Sequence, residues 1–128
     1  MAITLYHLTP AKNLQSIKEH GIQPSDDGFV YFSLNKYDTI FFAPWGGEIL
    51  FCGGKTKAPP LIILGVKIPG DELRKTVLKH YKINDLDGNS HIAAEILYPG
   101  AFPINEDVEI SSITPEEIIR RYRCSEYQ

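Results

Sequence analysis

The fold class this sequence predicts is α+β, and three observations carry it. Short runs rich in β-branched and aromatic residues recur along the chain, as in "ITLYH", "FVYFS" and "LIILGVKI". Between them lie segments with apolar residues at helical spacing and with recognisable helix starts and stops. No internal repeat, low-complexity tract or linker interrupts the 128 residues, so the whole of 1–128 reads as one domain. With 43% hydrophobic residues such a chain can bury a core without disulfides.

The first strand is expected over Ile3–His7. Thr9 then suits a helix N-cap and Pro10 the first helical position, where the missing N–H costs nothing. Ala11, Leu14 and Ile17 follow at helical spacing, and Gly21 is placed to stop the helix. "PSDDG" reads as a turn leading into a second strand, Phe29–Ser33, with a shorter helix around Asn35–Ala43. "PWGG" breaks that helix. "EILFC" and Leu61–Ile68 read as strands, and "DELRKTVLKHY" as an amphipathic helix. A polar loop, "KINDLDGNSH", leads into the strand "HIAAEILYP"; "DVEISSI" is another strand. "TPEEIIRRYR" closes with a capping box of Thr114 and Glu117.

Charge and composition narrow the function classes. A net charge of −3 and a pI near 5.8 argue against a broad nucleic-acid-binding face. Three of the four arginines, Arg120, Arg121 and Arg123, crowd one helical stretch and read as cations at a helix C-terminus; the fourth is Arg74. Cys52 and Cys124 form no metal-ligand or redox spacing and read as reduced thiols. No apolar run approaches the roughly 18 residues of a membrane span, and "MAITLYHLTP" has no basic leader pattern. The expectation is a soluble, cytoplasmic protein that engages no membrane. No pair of histidines or carboxylates has metal-ligand spacing, so no metal is expected.

Three motifs occur in a telling order. "LYHLT" ends a strand in His7 and Thr9; "VYFSLNKYDTIFF" carries Tyr31 and Ser33 on a strand and Tyr37 just after it; "NSHIAAEILYP" delivers Glu95 on a strand after a polar loop. Together they resemble the His-Tyr-Glu arrangement of the ADP-ribosyltransferase superfamily, most closely its DarT-like and PARP-like domains. The resemblance spans nearly the whole chain. It implies a split antiparallel sheet with short flanking helices, NAD⁺ as substrate, and transfer of ADP-ribose to a nucleic acid or protein acceptor. It further implies that His7 and Thr9 grip a ribose and that Tyr31 and Tyr37 flank the nicotinamide. Ser33 would line the same site, and Glu95 would act on the ribose that loses nicotinamide.

Two positions depart from the family pattern. Its glycine after the histidine is Leu8 here, so a carboxamide contact there falls to Leu8 backbone atoms. Two residues before Glu95 stands Ala93 rather than the Gln or Glu of arginine-modifying toxins, which argues against arginine as acceptor.

The chemistry suits these residue types. Breaking the ribose–nicotinamide bond builds positive charge on the sugar, and a carboxylate bonded to the 2′-hydroxyl strengthens its hold as that charge grows. The nicotinamide of NAD⁺ is a cationic ring suited to an electron-rich aromatic face. Trp45 beside "PWGG" suits a lid or platform, and His20 and His80 read as structural or solvated side chains at helix ends. Two other readings stay open: a catalytically silent domain of the same fold that binds NAD⁺, ADP-ribose or a protein, and an RNA 2′-phosphotransferase. As a toxin, the chain would have a neutralising partner.

Overall fold

The computed structural model of the chain describes residues 2–39, 60–84, 90–104 and 108–114. The expectations for "EILFC", for "PWGG" with Trp45, for both cysteines, for Arg120, Arg121 and Arg123 and for the carboxyl-terminal helix lie outside the described residues. The described strands are β1 (Ala2–Pro10), β2 (Phe29–Ser33), β3 (Leu61–Pro69), β4 (Val77–Asn84), β5 (Ser90–Pro99) and β6 (Glu109–Ile113). They form one antiparallel sheet in the order β4-β5-β2-β1-β3-β6. With helix α1 (Leu14–His20) and three short helical turns, the described chain is α+β. Among the described residues no helix is long and apolar enough to cross a membrane.

The sheet is pinched in the middle. β1 pairs with β3 along its whole length, from Ala2↔Pro69 to Pro10↔Leu61, but with β2 only at Tyr6↔Ser33. Past Tyr6, β1 and β2 diverge and leave a gap between two halves of the sheet. One face of the sheet packs against α1. Leu5, Phe32, Leu64 and Ile68, all essentially inaccessible, meet Ile17 of α1 there. Burying side chains of this size contributes about 1.5–3 kcal/mol each. Phe102 closes the end of this core with edge-on contacts to Phe32 at 5.1 Å and Tyr98 at 5.0 Å.

Gly21 is the helix stop its position predicts. Its N–H reaches the Ile17 carbonyl, with φ at +78° and ψ at 177°, a conformation open essentially to glycine alone. A Cβ there would lie 2.5 Å from the Phe102 carbonyl oxygen. Space is short because Ile22 and Phe102 exchange backbone hydrogen bonds of 2.8 and 2.9 Å immediately beyond.

Several expected elements differ. Thr9 and Pro10 remain in β1, paired with Ile62 and Leu61, and Ala11 N–H bonds the Pro60 carbonyl. The ladder with β3 thus outcompetes the N-cap, and α1 starts only at Leu14 after a tighter turn, Ala11–Asn13. The helix expected over 71–81 shrinks to one turn, Gly70–Leu73. Thr76 bonds back through both its N–H and its hydroxyl to the Leu73 carbonyl, and from Val77 all eight residues pair with β5. His80 is therefore a strand residue rather than a helix end. The helix around Asn35–Ala43 is a tight turn, Lys36–Asp38, in its described part. The loop before Glu95 is shorter than its polar composition suggests, since β4 runs to Asn84 and β5 starts at Ser90.

Candidate functional site

His7 bridges the gap between the two halves of the sheet. Its Nδ1–H donates to the Tyr31 carbonyl at 2.8 Å, and its ring meets Phe32 edge-on at 5.8 Å. Burial holds the imidazole below its ordinary pKa, partly offset by the bond to Tyr31. A neutral ring that donates from Nδ1 keeps Nε2 as an acceptor, the role needed to receive a hydrogen bond from a sugar hydroxyl.

Two adjoining clefts meet at His7 and Gln23. The larger, about 240 Å³, is lined by Tyr6, His7 and Leu8 of β1 and by Val30, Tyr31, Phe32 and Ser33 of β2. Consecutive residues along a strand point to opposite faces, so a hollow touching three and four in a row opens between strands, not on one face. The smaller, about 180 Å³, runs from His7 past Thr9 and Asn13 to Gly21. Each falls below the roughly 300–1,000 Å³ of an ordinary ligand pocket; joined, they reach that range.

Tyr31 is held from outside the sheet. The turn before β2 closes through Gly28 N–H to the Ser25 carbonyl, and Asp27 Oδ1 accepts from Phe29 N–H. That places Asp27 Oδ2 to accept from the Tyr31 hydroxyl. The bond to Asp27 is the main reason the Tyr31 phenol is pushed up to about 12, and it lowers the Asp27 carboxyl in turn. Tyr31 is thereby tethered by its hydroxyl at the wall of the larger cleft.

Glu95 stands one strand further out. It pairs with Ser33 of β2 on one side and Lys79 of β4 on the other. Only 4% exposed, it accepts a hydrogen bond at Oε1 from the Tyr81 hydroxyl at 3.2 Å. Burial raises its carboxyl above the ordinary value; Tyr81 and Lys79 pull it back, and the negative charge of Asp27 pushes it up. A carboxylate in such a place answers strongly to nearby positive charge, because little water screens it.

The sequence-derived candidates divide accordingly. His7, Leu8, Tyr31 and Ser33 line the larger cleft, and His7 and Thr9 the smaller. Thr9 is buried and accepts from Asn13 Nδ2 at 3.3 Å. The Ser33 hydroxyl is taken up locally, donating to the Asn35 carbonyl at 2.8 Å and accepting from Asn35 N–H. Glu95 borders the site through Ser33 but lines neither cleft. Tyr37 falls in the Lys36–Asp38 turn, and its side chain is outside the described atoms. Asp27, Gln23, Lys79 and Tyr81 were not anticipated. The last two alternate with Val77 at strand period, a signal hidden by the apparent helical pattern.

Among the described residues no group of three or more His, Cys, Asp and Glu side chains is placed to hold a metal ion. Comparison of the chain with family models, curated proteins and solved structures found no match.

Proposed function

We propose that the chain is an NAD⁺-dependent mono-ADP-ribosyltransferase with a sheet of the ADP-ribosyltransferase type. The observation that supports this reading is the bond of His7 to Tyr31 across the gap, with Glu95 bordering the gap through Ser33. Ser33 is itself paired with Tyr6. Three motifs distant in sequence thus border the place where the sheet opens.

In this reading an NAD⁺ molecule occupies the joined clefts and reaches past Ser33 to Glu95, which borders them. Neutral His7 accepts from a ribose hydroxyl through Nε2, and Thr9 lies along the same wall. Tyr31, fixed by Asp27, presents its ring to the nicotinamide, and Leu8 backbone atoms take the carboxamide. The bond between ribose C1′ and the nicotinamide nitrogen breaks, and nicotinamide leaves as a neutral base with the bonding electron pair. Glu95 stabilises the positive charge left on the sugar by holding its 2′-hydroxyl. A nucleophile of a nucleic acid or protein acceptor then bonds to C1′ and gives up its proton.

The test is nicotinamide release from NAD⁺ by purified protein, with oligonucleotides and lysate proteins offered as acceptors, beside Glu95→Gln. Release lost by on the order of 10²–10³ in the variant supports the reading. A wild type that neither binds NAD⁺ nor releases nicotinamide overturns it.

Leu8 in place of the family's glycine favours a second reading, a silent domain that binds NAD⁺ or ADP-ribose. NAD⁺ binding with no release under any condition selects it. The 2′-phosphotransferase alternative is weaker, since no arginine among the described residues lines either cleft to meet a phosphate.

A further inference from the structure

Among the described residues, the Glu95 side chain has one hydrogen-bond donor, Tyr81, and the placement of that donor is unusual. Tyr81 lies on β4, an edge strand of the described sheet, opposite Ala93 and two residues from Lys79, which is directly opposite Glu95. All of these share one face of the sheet with Tyr31 and Ser33, as the register and the period-two alternation require. Tyr81 is 39% exposed, yet its hydroxyl points inward to a carboxylate that is almost fully covered. Lys79 is exposed and acts on Glu95 as a charge rather than a hydrogen-bond partner.

We infer that Tyr81 is the positioning residue of Glu95: its hydroxyl holds Oε1 and leaves Oε2 to meet a substrate hydroxyl. This role rests on the ADP-ribosyl-transfer reading for its catalytic consequence, but the hold on Glu95 does not. A buried carboxylate is costly unless its lone pairs are met, and a free carboxylate rotates between equivalent oxygens. A phenol is well suited to stop that rotation, because its ring has two torsions and its donor sits at the far end of a rigid plane. The alternating strand makes this possible: one residue of register in β4 would carry Tyr81 to the opposite face.

The experiment follows the Glu95 side-chain carboxyl by carbon-detected NMR titration in wild type and Tyr81→Phe, alongside the pH profile of nicotinamide release. Among the described residues, the titratable and charged groups facing Glu95 are Lys79 and Tyr81 of β4, Tyr31 of β2 and Asp27 of the preceding turn. Loss of the hydroxyl removes a donor that favours the ionised form, so the Glu95 titration and the acid limb of the rate profile both move to higher pH. At the plateau kcat falls roughly tenfold or more, the scale of a hydrogen bond to a charged group, with KM for NAD⁺ nearly unchanged. Lys79→Met moves the titration in the same direction but leaves the plateau kcat close to wild type, which separates positioning from charge.

A Glu95 titration in Tyr81→Phe that superimposes on wild type overturns the inference, whether or not the protein turns over NAD⁺. A shifted titration in a protein that never releases nicotinamide upholds the hold of Tyr81 on Glu95 and counts against the transferase reading alone. Should Tyr81→Phe lose its native amide spectrum, 3-fluorotyrosine at position 81 carries the same test. Its more acidic phenol is a stronger donor and moves the Glu95 titration down; no movement overturns the inference.

Discussion

The His7 imidazole donates to the Tyr31 carbonyl at 2.8 Å and thereby spans the gap where β1 and β2 part company. On the proposed function the ring then has two separable duties, the observed one at Nδ1 and substrate contact at Nε2. His7→Asn places an amide N–H near the position of Nδ1 and keeps the bond to Tyr31, whereas His7→Ala leaves a buried carbonyl unmet. We expect His7→Ala to lose about 1–3 kcal/mol of stability in urea titrations and His7→Asn appreciably less. Both lose NAD⁺ binding measured by calorimetry, because neither retains Nε2.

Glu95 links function to stability with a definite sign. A carboxyl whose pKa is raised in the folded state is more readily ionised when unfolded. Below its ordinary value of 4.5 both states are protonated and there is no penalty. As pH rises through the raised value, the folded protein must carry a buried charge and stability falls. Glu95→Gln escapes that loss. Its melting temperature should exceed that of wild type by a margin that widens from about pH 4 to pH 7. A margin independent of pH would refute this.

Tyr31→Phe keeps the ring and removes the tether to Asp27. The Asp27 carboxyl then moves up toward its ordinary range, visible by NMR, and nicotinamide release falls only severalfold. Tyr31→Ala removes the platform as well, and we expect a further loss of about tenfold, the scale of one aromatic stacking contact. Equal losses in the two variants would show that the hydroxyl, not the ring, matters.

Glycine substitutions separate backbone strain from crowding. Gly28 has φ at +88° and nothing within 4 Å of where a methyl group would stand. Gly28→Ala therefore costs about 1–2 kcal/mol from conformation alone. Gly21→Ala adds the overlap with the Phe102 carbonyl and should cost clearly more, detectable as a lower urea midpoint.

The strands β1, β2, β3, β5 and β6 were legible because their composition and their turns agree. Gly21 was legible because a helix ending there needs a glycine. β4 was not: Leu73, Val77 and Leu78 fit one helix face, and only pairing with β5 decides for the strand. Thr9 was misplaced for a similar reason, since its capping chemistry is real but the ladder to β3 claims its backbone. At the site, His7, Tyr31 and Glu95 were named from motifs. Tyr81 and Asp27 have no motif, and their roles exist only in cross-strand register and turn geometry.

The single Tyr6↔Ser33 pair has a consequence for how the molecule opens. His7 belongs with β1 and β3, Glu95 with β2, β4 and β5, so the two are carried by separate hydrogen-bonded blocks joined at a seam. Sub-global opening should therefore begin along that seam. Amides of β1 and β2 that face each other across it should exchange faster than those in the β1–β3 and β2–β5 ladders. Any ligand that lies in the gap takes the place of a missing strand and draws the blocks together. Its affinity would then be readable as slowed exchange on both sides at once.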